Sequence, residues 1–105
     1  MKAKVKTIDI QAKEWFDKVH GNSYFSARVT VNFGTKTEKT IFIPWDYGYG
    51  DQYKYTAFQK LAEAGYIKKP EGMPIWKFVE ENNVILRSHL IEGCKKREMI
   101  EWGQE

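Results

Sequence analysis

The chain has 105 residues, with 17 Lys and Arg against 14 Asp and Glu, and a formal net charge of +3. With 42% hydrophobic and 15% aromatic residues it holds enough apolar material for one packed core, and residues 1–105 are read as a single domain. That composition excludes disorder as the main state, and no apolar run approaches the roughly 20 residues of a membrane span. The start, MKAKVKTIDIQAKEW, alternates charge with apolar residues and builds no signal-peptide core. Together with a single cysteine, Cys94, this gives the expectation of a cytoplasmic protein without disulfides.

From Lys4 to Ala12 the residues alternate, with Ile8, Ile10 and Ala12 on one side and Thr7, Asp9 and Gln11 on the other, the period of a half-buried strand. Glu14-Trp15-Phe16 interrupts that alternation and predicts a bulge or a strand end. After a turn at 18–22, Phe25, Ala27, Val29, Val31 and Phe33 alternate with Tyr24, Ser26, Arg28, Thr30 and Asn32, the clearest strand pattern in the chain. A second turn at 34–37 leads into a third strand from Lys39 to Trp45, with Pro44 closing it or marking it as an edge. The first 45 residues thus read as a three-stranded antiparallel meander.

Two Gly and two Asp in the segment 46–51 end the strand geometry, and Asp51 suits the N-cap of a helix running from Gln52 to Ala64, with Gly65 as its C′ residue. Phe58, Leu61 and Ala62 share one stripe of that helix. Pro74 opens a shorter helix on which Ile75, Phe78 and Val79 share a face, and Asn82-Asn83 ends it. Residues 84–91 alternate again. The stretch from Lys95 to Trp102 admits two readings: a last strand, favoured by Gly93 and the β-rich Val84–Leu86, or a helix, because Met99 and Trp102 stand three apart among helix formers. The strand reading is preferred. The expected architecture is α+β: an antiparallel sheet of three to five strands with one or two helices packed on one face.

Little in the chain points to catalysis. His20, His89 and Cys94 are its only His and Cys, which is too few and too scattered for a metal site, and no cofactor is expected. His89 and Cys94 would approach across a hairpin, but no third group is at hand to orient them. Gly48-Tyr49-Gly50 sits between strand and helix like a phosphate loop, yet Asp51 follows where such a loop carries Lys. The chain is therefore expected not to be an enzyme.

Aromatic density is the positive signal. Trp45, Tyr47, Tyr49, Tyr53 and Tyr55 fall within eleven residues, more than a small core can absorb. Trp45, Tyr47, Tyr49, Asp51 and Tyr53, with Tyr24 and Arg28 from the polar side of the second strand, are the candidate binding residues. If the ligand is a small phosphate compound, Arg28, Arg87 and Arg97 are the candidate contacts, at an oligomer interface because one small domain leaves little room for a deep pocket. Positive charge is spread along the chain rather than gathered, so nucleic acid is the secondary partner class, with Tyr24 or Trp15 as stacking platforms.

Trp15-Phe16-Asp17-Lys18, Gly21-Asn22-Ser23-Tyr24-Phe25-Ser26 and Tyr47-Gly48-Tyr49-Gly50-Asp51-Gln52-Tyr53 carry a further signal. In their order and spacing the chain resembles a family of small, largely uncharacterised proteins encoded by bacteriophages and other mobile elements, over most of residues 5–67 and fading afterwards. The resemblance implies a context rather than site residues: an accessory protein that antagonises a bacterial defence system, by binding a host protein complex or by sequestering a small signalling nucleotide.

Overall fold

The computed structural model describes residues 4–104. Strands β1 (Thr7–Asp17), β2 (Asn22–Val31) and β3 (Lys39–Tyr47) are followed by helices α1 (Gln52–Glu63) and α2 (Ile75–Glu81), strand β4 (Ile85–Ile91) and helix α3 (Lys96–Trp102). The sheet order is β3-β2-β1-β4. The chain is α+β, and its first three strands form the antiparallel meander that alternation predicts. The fourth strand joins β1 in parallel, so the sheet is mixed. Connecting β3 to β4 through two helices carries the chain across the sheet, which is how a parallel neighbour arises.

One sheet face builds the core. Ile8, Ile10 and Ala12 of β1 pair with Val31, Val29 and Ala27 of β2, and all six are buried. Ile43 of β3 joins them, and α1 closes the layer with Tyr53, Ala57, Phe58 and Leu61. Phe78 of α2 meets Phe58 edge-on, with ring centroids 6.0 Å apart. Gly65 takes a φ of +80°, the left-handed conformation expected of a residue just past a helix end.

Several expectations are corrected. Glu14-Trp15-Phe16 does not end or bulge β1, whose register with β2 runs unbroken from Ile8 to Asp17; the irregularity falls on the other side of β2, between Phe25 and Ala27 opposite β3. Phe33 is not on the core face. Asn32, at φ +53°, turns the chain first, and Phe33 stands exposed. Asp51 occupies the N-cap position but makes no capping side-chain hydrogen bond; its carboxylate pairs with Lys54 Nζ at 3.3 Å. The segment from Lys95 to Trp102 is the helix α3, not a strand, and it packs on the face opposite α1 and α2, so the helices are not confined to one side.

The docking of α3 has clear local causes. Met99 is fully buried, the Ser26 hydroxyl donates to the Met99 carbonyl, and Trp102 Nε1–H donates to the Gln11 carbonyl at 2.8 Å. Gly103 ends the helix against the sheet so closely that a Cβ there would strike the Ile43 carbonyl and lie 2.8 Å from Ser26 Cβ. A small hydroxyl residue on β2 and a glycine after α3 together let this short helix approach the strands.

Candidate functional site

The side chains on the α3 face are those that alternation leaves off the core: Asp9, Gln11, Lys13 and Trp15 from β1, Tyr24, Ser26, Arg28 and Thr30 from β2, and Thr40 and Phe42 from β3. Because α3 is only seven residues long, it covers the middle of this face, over Ser26, and leaves both ends open.

At one end lies an aromatic patch. Trp15 and Tyr24 are cross-strand neighbours with rings stacked at 5.6 Å and 23°. Tyr24 meets Trp45 and Tyr47 edge-on, at 5.4 and 5.8 Å. The register shift between β2 and β3 is what lets both Trp45 and Tyr47 reach Tyr24. Trp45 keeps 50% and Tyr47 58% of its surface exposed, values that core packing does not require. Lys96, at the start of α3, places its ammonium 5.3 Å from the Trp15 ring.

At the other end is a groove of about 490 Å³, lined by Asp9, Arg28, Thr30, Thr40, Phe42, Arg87 and Trp102 among others. Arg28 is held on three sides. Its Nε–H donates to the Trp102 carbonyl at 3.0 Å, its guanidinium carbon lies 3.8 Å from the Trp102 ring centre, and Phe42 lies 5.2 Å away. Lys13 Nζ also approaches the Trp102 ring, at 4.7 Å. Arg87 is committed to Asp9 through a two-pronged pair, Nε to Oδ1 at 2.7 Å and Nη2 to Oδ2 at 3.1 Å. The carboxylate cancels much of that charge, so among the lining residues Arg28 supplies the groove's uncompensated positive charge.

The Tyr-rich segment is thus divided. Trp45 and Tyr47 join the patch with Tyr24; Tyr49 stands exposed in the loop; Tyr53 is 5% exposed and belongs to the core; Tyr55 lies on α1 beside Ile75 of α2. Asp51 is exposed at the head of α1. Of the three arginines considered for phosphate, Arg28 and Arg87 share the groove, while Arg97 is exposed on α3 and is not among the groove's lining residues. Sequence reasoning missed Trp102, Asp9 and Phe42 as groove residues. The three-residue spacing of Met99 and Trp102 was the available signal, since a helix there puts both on the sheet.

The hairpin that would have joined His89 to Cys94 does not form; His89 is exposed on β4, and the Cys94 thiol donates to the Ile91 carbonyl at 3.4 Å. Among the described residues no three His, Cys, Asp or Glu side chains converge as a metal site requires. Two carboxyls depart from their ordinary range. Burial, and then the charge of Glu92, push Glu14 up. The His20 ring, 2.8 Å from Asp17 Oδ2, together with the Val19 and His20 amides, holds Asp17 down. Neither carboxyl lines the groove. No helix among the described residues is long and apolar enough to cross a membrane. Compared with protein-family models, curated proteins and solved structures, the chain matches none.

Proposed function

We propose that this chain is a non-enzymatic accessory binding protein of a phage or mobile element, one that antagonises a bacterial defence system in the host cytoplasm by masking the surface of a host protein. The observation that carries the binding reading is the patch of Trp15, Tyr24, Trp45 and Tyr47 on the open sheet face. Tyr and Trp provide large rigid contact area at low entropic cost, and a contiguous half-exposed cluster of them is the composition of an interface centre. The antagonist role comes from the resemblance of residues 5–67 to mobile-element proteins. In the form of this reading that sequesters a nucleotide, Arg28 at the groove is the phosphate contact, because Arg87 is already held by the Asp9 carboxylate.

A second reading has its own observation. The Trp15–Tyr24 stack beside Lys96 is the arrangement on which single-stranded nucleic acid bases stack while cations follow the phosphates. Native mass spectrometry of the tagged protein, recovered gently from a bacterial lysate, separates the readings. A retained protein subunit other than a second 12.4 kDa copy of this chain supports host-protein masking. An adduct below about one kilodalton, the size class of a pocket ligand, moves the site to the groove. Retained polynucleotide, lost steeply as salt rises, replaces the proposal with the second reading. A bare chain in every preparation removes the binding reading.

A further inference from the structure

The free edge of β4 carries a second, separate surface. Its sequence, Ile85-Leu86-Arg87-Ser88-His89-Leu90-Ile91, reads nearly the same in both directions about Ser88. We infer that β4 pairs with β4 of a second copy of this chain, antiparallel, across a two-fold axis at Ser88. In that register Ile85 faces Ile91, Leu86 faces Leu90, Arg87 faces His89 and Ser88 faces itself, so apolar meets apolar and polar meets polar at every position.

The backbone agrees with this register. Ile85 N–H donates to the Lys6 carbonyl at 3.0 Å, which turns the odd-numbered peptide groups of β4 toward β1. The groups of Leu86, Ser88 and Leu90 therefore point outward, and an axis at Ser88 pairs them among themselves, in about six hydrogen bonds. Ile85 and Ile91, 60% and 42% exposed, share a sheet face and each gains an isoleucine partner. Leu86 lies in an apolar cleft with Trp76 and Val79, and Leu90 of the second copy arrives beside it.

The two sheet edges differ in a way that singles out β4. At the β3 edge the register with β2 is broken and Pro44 lacks an N–H, devices that discourage pairing. β4 is regular along its pairing with β1, and β1 is the one element packed closely along it among the described residues. Its single formal charge, Arg87, is already neutralised by Asp9 at 2.7 Å. A regular, apolar, charge-neutral edge of this kind is either an aggregation hazard or an interface, and the palindrome favours an interface.

Pairing also alters the groove. Arg87 forms its outer wall, and the register sets His89 of the second copy directly opposite Arg87 on the same face, with Cα atoms about 4.5 Å apart. The two grooves then adjoin across the axis, each extended by a histidine from the other copy.

The test has two parts. Sedimentation of the wild type at about 100 µM, a concentration that populates even a micromolar dimer, is expected to give twice the chain mass of 12.4 kDa. Ile85→Lys/Ile91→Lys changes exposed side chains only, and it is expected to leave the circular dichroism unchanged while weakening the dimer by about tenfold or more, since it sets Lys against Lys. In a Cys94→Ser background, Ser88→Cys is expected to cross-link to itself with a short bis-maleimide, because the axis brings the two Cα atoms to about 5.5 Å. Thr40→Cys on the opposite edge is expected not to. A monomer at that concentration overturns the inference. So does a dimer that survives the lysine pair, or one that cross-links through Thr40→Cys and not through Ser88→Cys.

Discussion

Met99→Ala probes how the open face is held in shape. Met99 is fully buried beneath α3, and truncating a core methionine costs about 2–5 kcal/mol in lost transfer energy and residual cavity. A seven-residue helix has no independent stability, so the loss falls on docking: Met99 anchors the middle of α3, Trp102 Nε1–H reaches Gln11, and Gly103 admits the close approach. We expect a loss of about 3 kcal/mol, equivalent to roughly 12–24 °C in melting temperature for a domain of this size. The limit is the free energy that docks α3, because beyond it the helix detaches while the β1–β3 meander and α1 remain folded. Urea titration followed by tryptophan fluorescence gives the cost, and amide exchange shows where protection is lost. Gly103→Ala strikes the same docking, so the double variant is expected to cost no more than about 1 kcal/mol beyond the larger single effect, the signature of two sites acting through one event. A Met99→Ala cost below about 1 kcal/mol, or full additivity with Gly103→Ala, would refute the account of α3.

Other expectations follow from single contacts. Asn32→Ala is expected to cost about 2–3 kcal/mol by urea titration, because the buried amide accepts from Lys6 N–H at 2.7 Å, donates to the Lys4 carbonyl and Thr37, and holds a positive φ that Asn tolerates better than Ala. Glu14→Gln is expected to raise the melting temperature at pH 7. A carboxyl whose folded value is raised pays for its charge above that value, so the gain shrinks as pH falls through the raised value and is gone below the ordinary one. Asp17→Asn has the opposite profile. A carboxyl held low stabilises the fold above its ordinary range and loses that contribution as pH falls through the folded value, so the variant is less stable than wild type at pH 7 and equal to it in strong acid, by thermal melts across pH.

How much of this was legible in the sequence depends on the kind of signal involved. Period-two alternation in 25–31 placed β2 and its two faces, and the same pattern put Ile8, Ile10 and Ala12 in the core. Helix α1 was marked by its formers and by Gly65, a local backbone requirement. Alternation failed at Trp15 and Phe16, where both side chains are large and the strand continues because β2 offers partners of matching register. Phe33 was misplaced because Asn32, whose turn conformation depends on contacts with Lys4 and Lys6 far away in the chain, ends the strand before it. Helix α3 was missed for a related reason: its seven residues lack strong periodicity, and what makes them a helix is the niche at Ser26 and Gly103. Aromatic crowding around 45–55, with Tyr24 beside it, signalled a surface, but not that Trp15 would stack on Tyr24 within the same patch while Tyr53 turned inward. The groove was invisible, since it assembles β1, β2, β3, β4 and α3.

The central claim is that partners bind on the aromatic end of the open sheet face. Trp45→Ala/Tyr47→Ala removes two half-exposed rings and keeps the core, so its melting temperature and circular dichroism are expected to stay close to wild type. Recovered side by side from one bacterial lysate and weighed by native mass spectrometry, the wild type is expected to carry a protein subunit that the double variant has lost. Equal retention of that subunit by both proteins contradicts the claim and moves the interface elsewhere on the molecule.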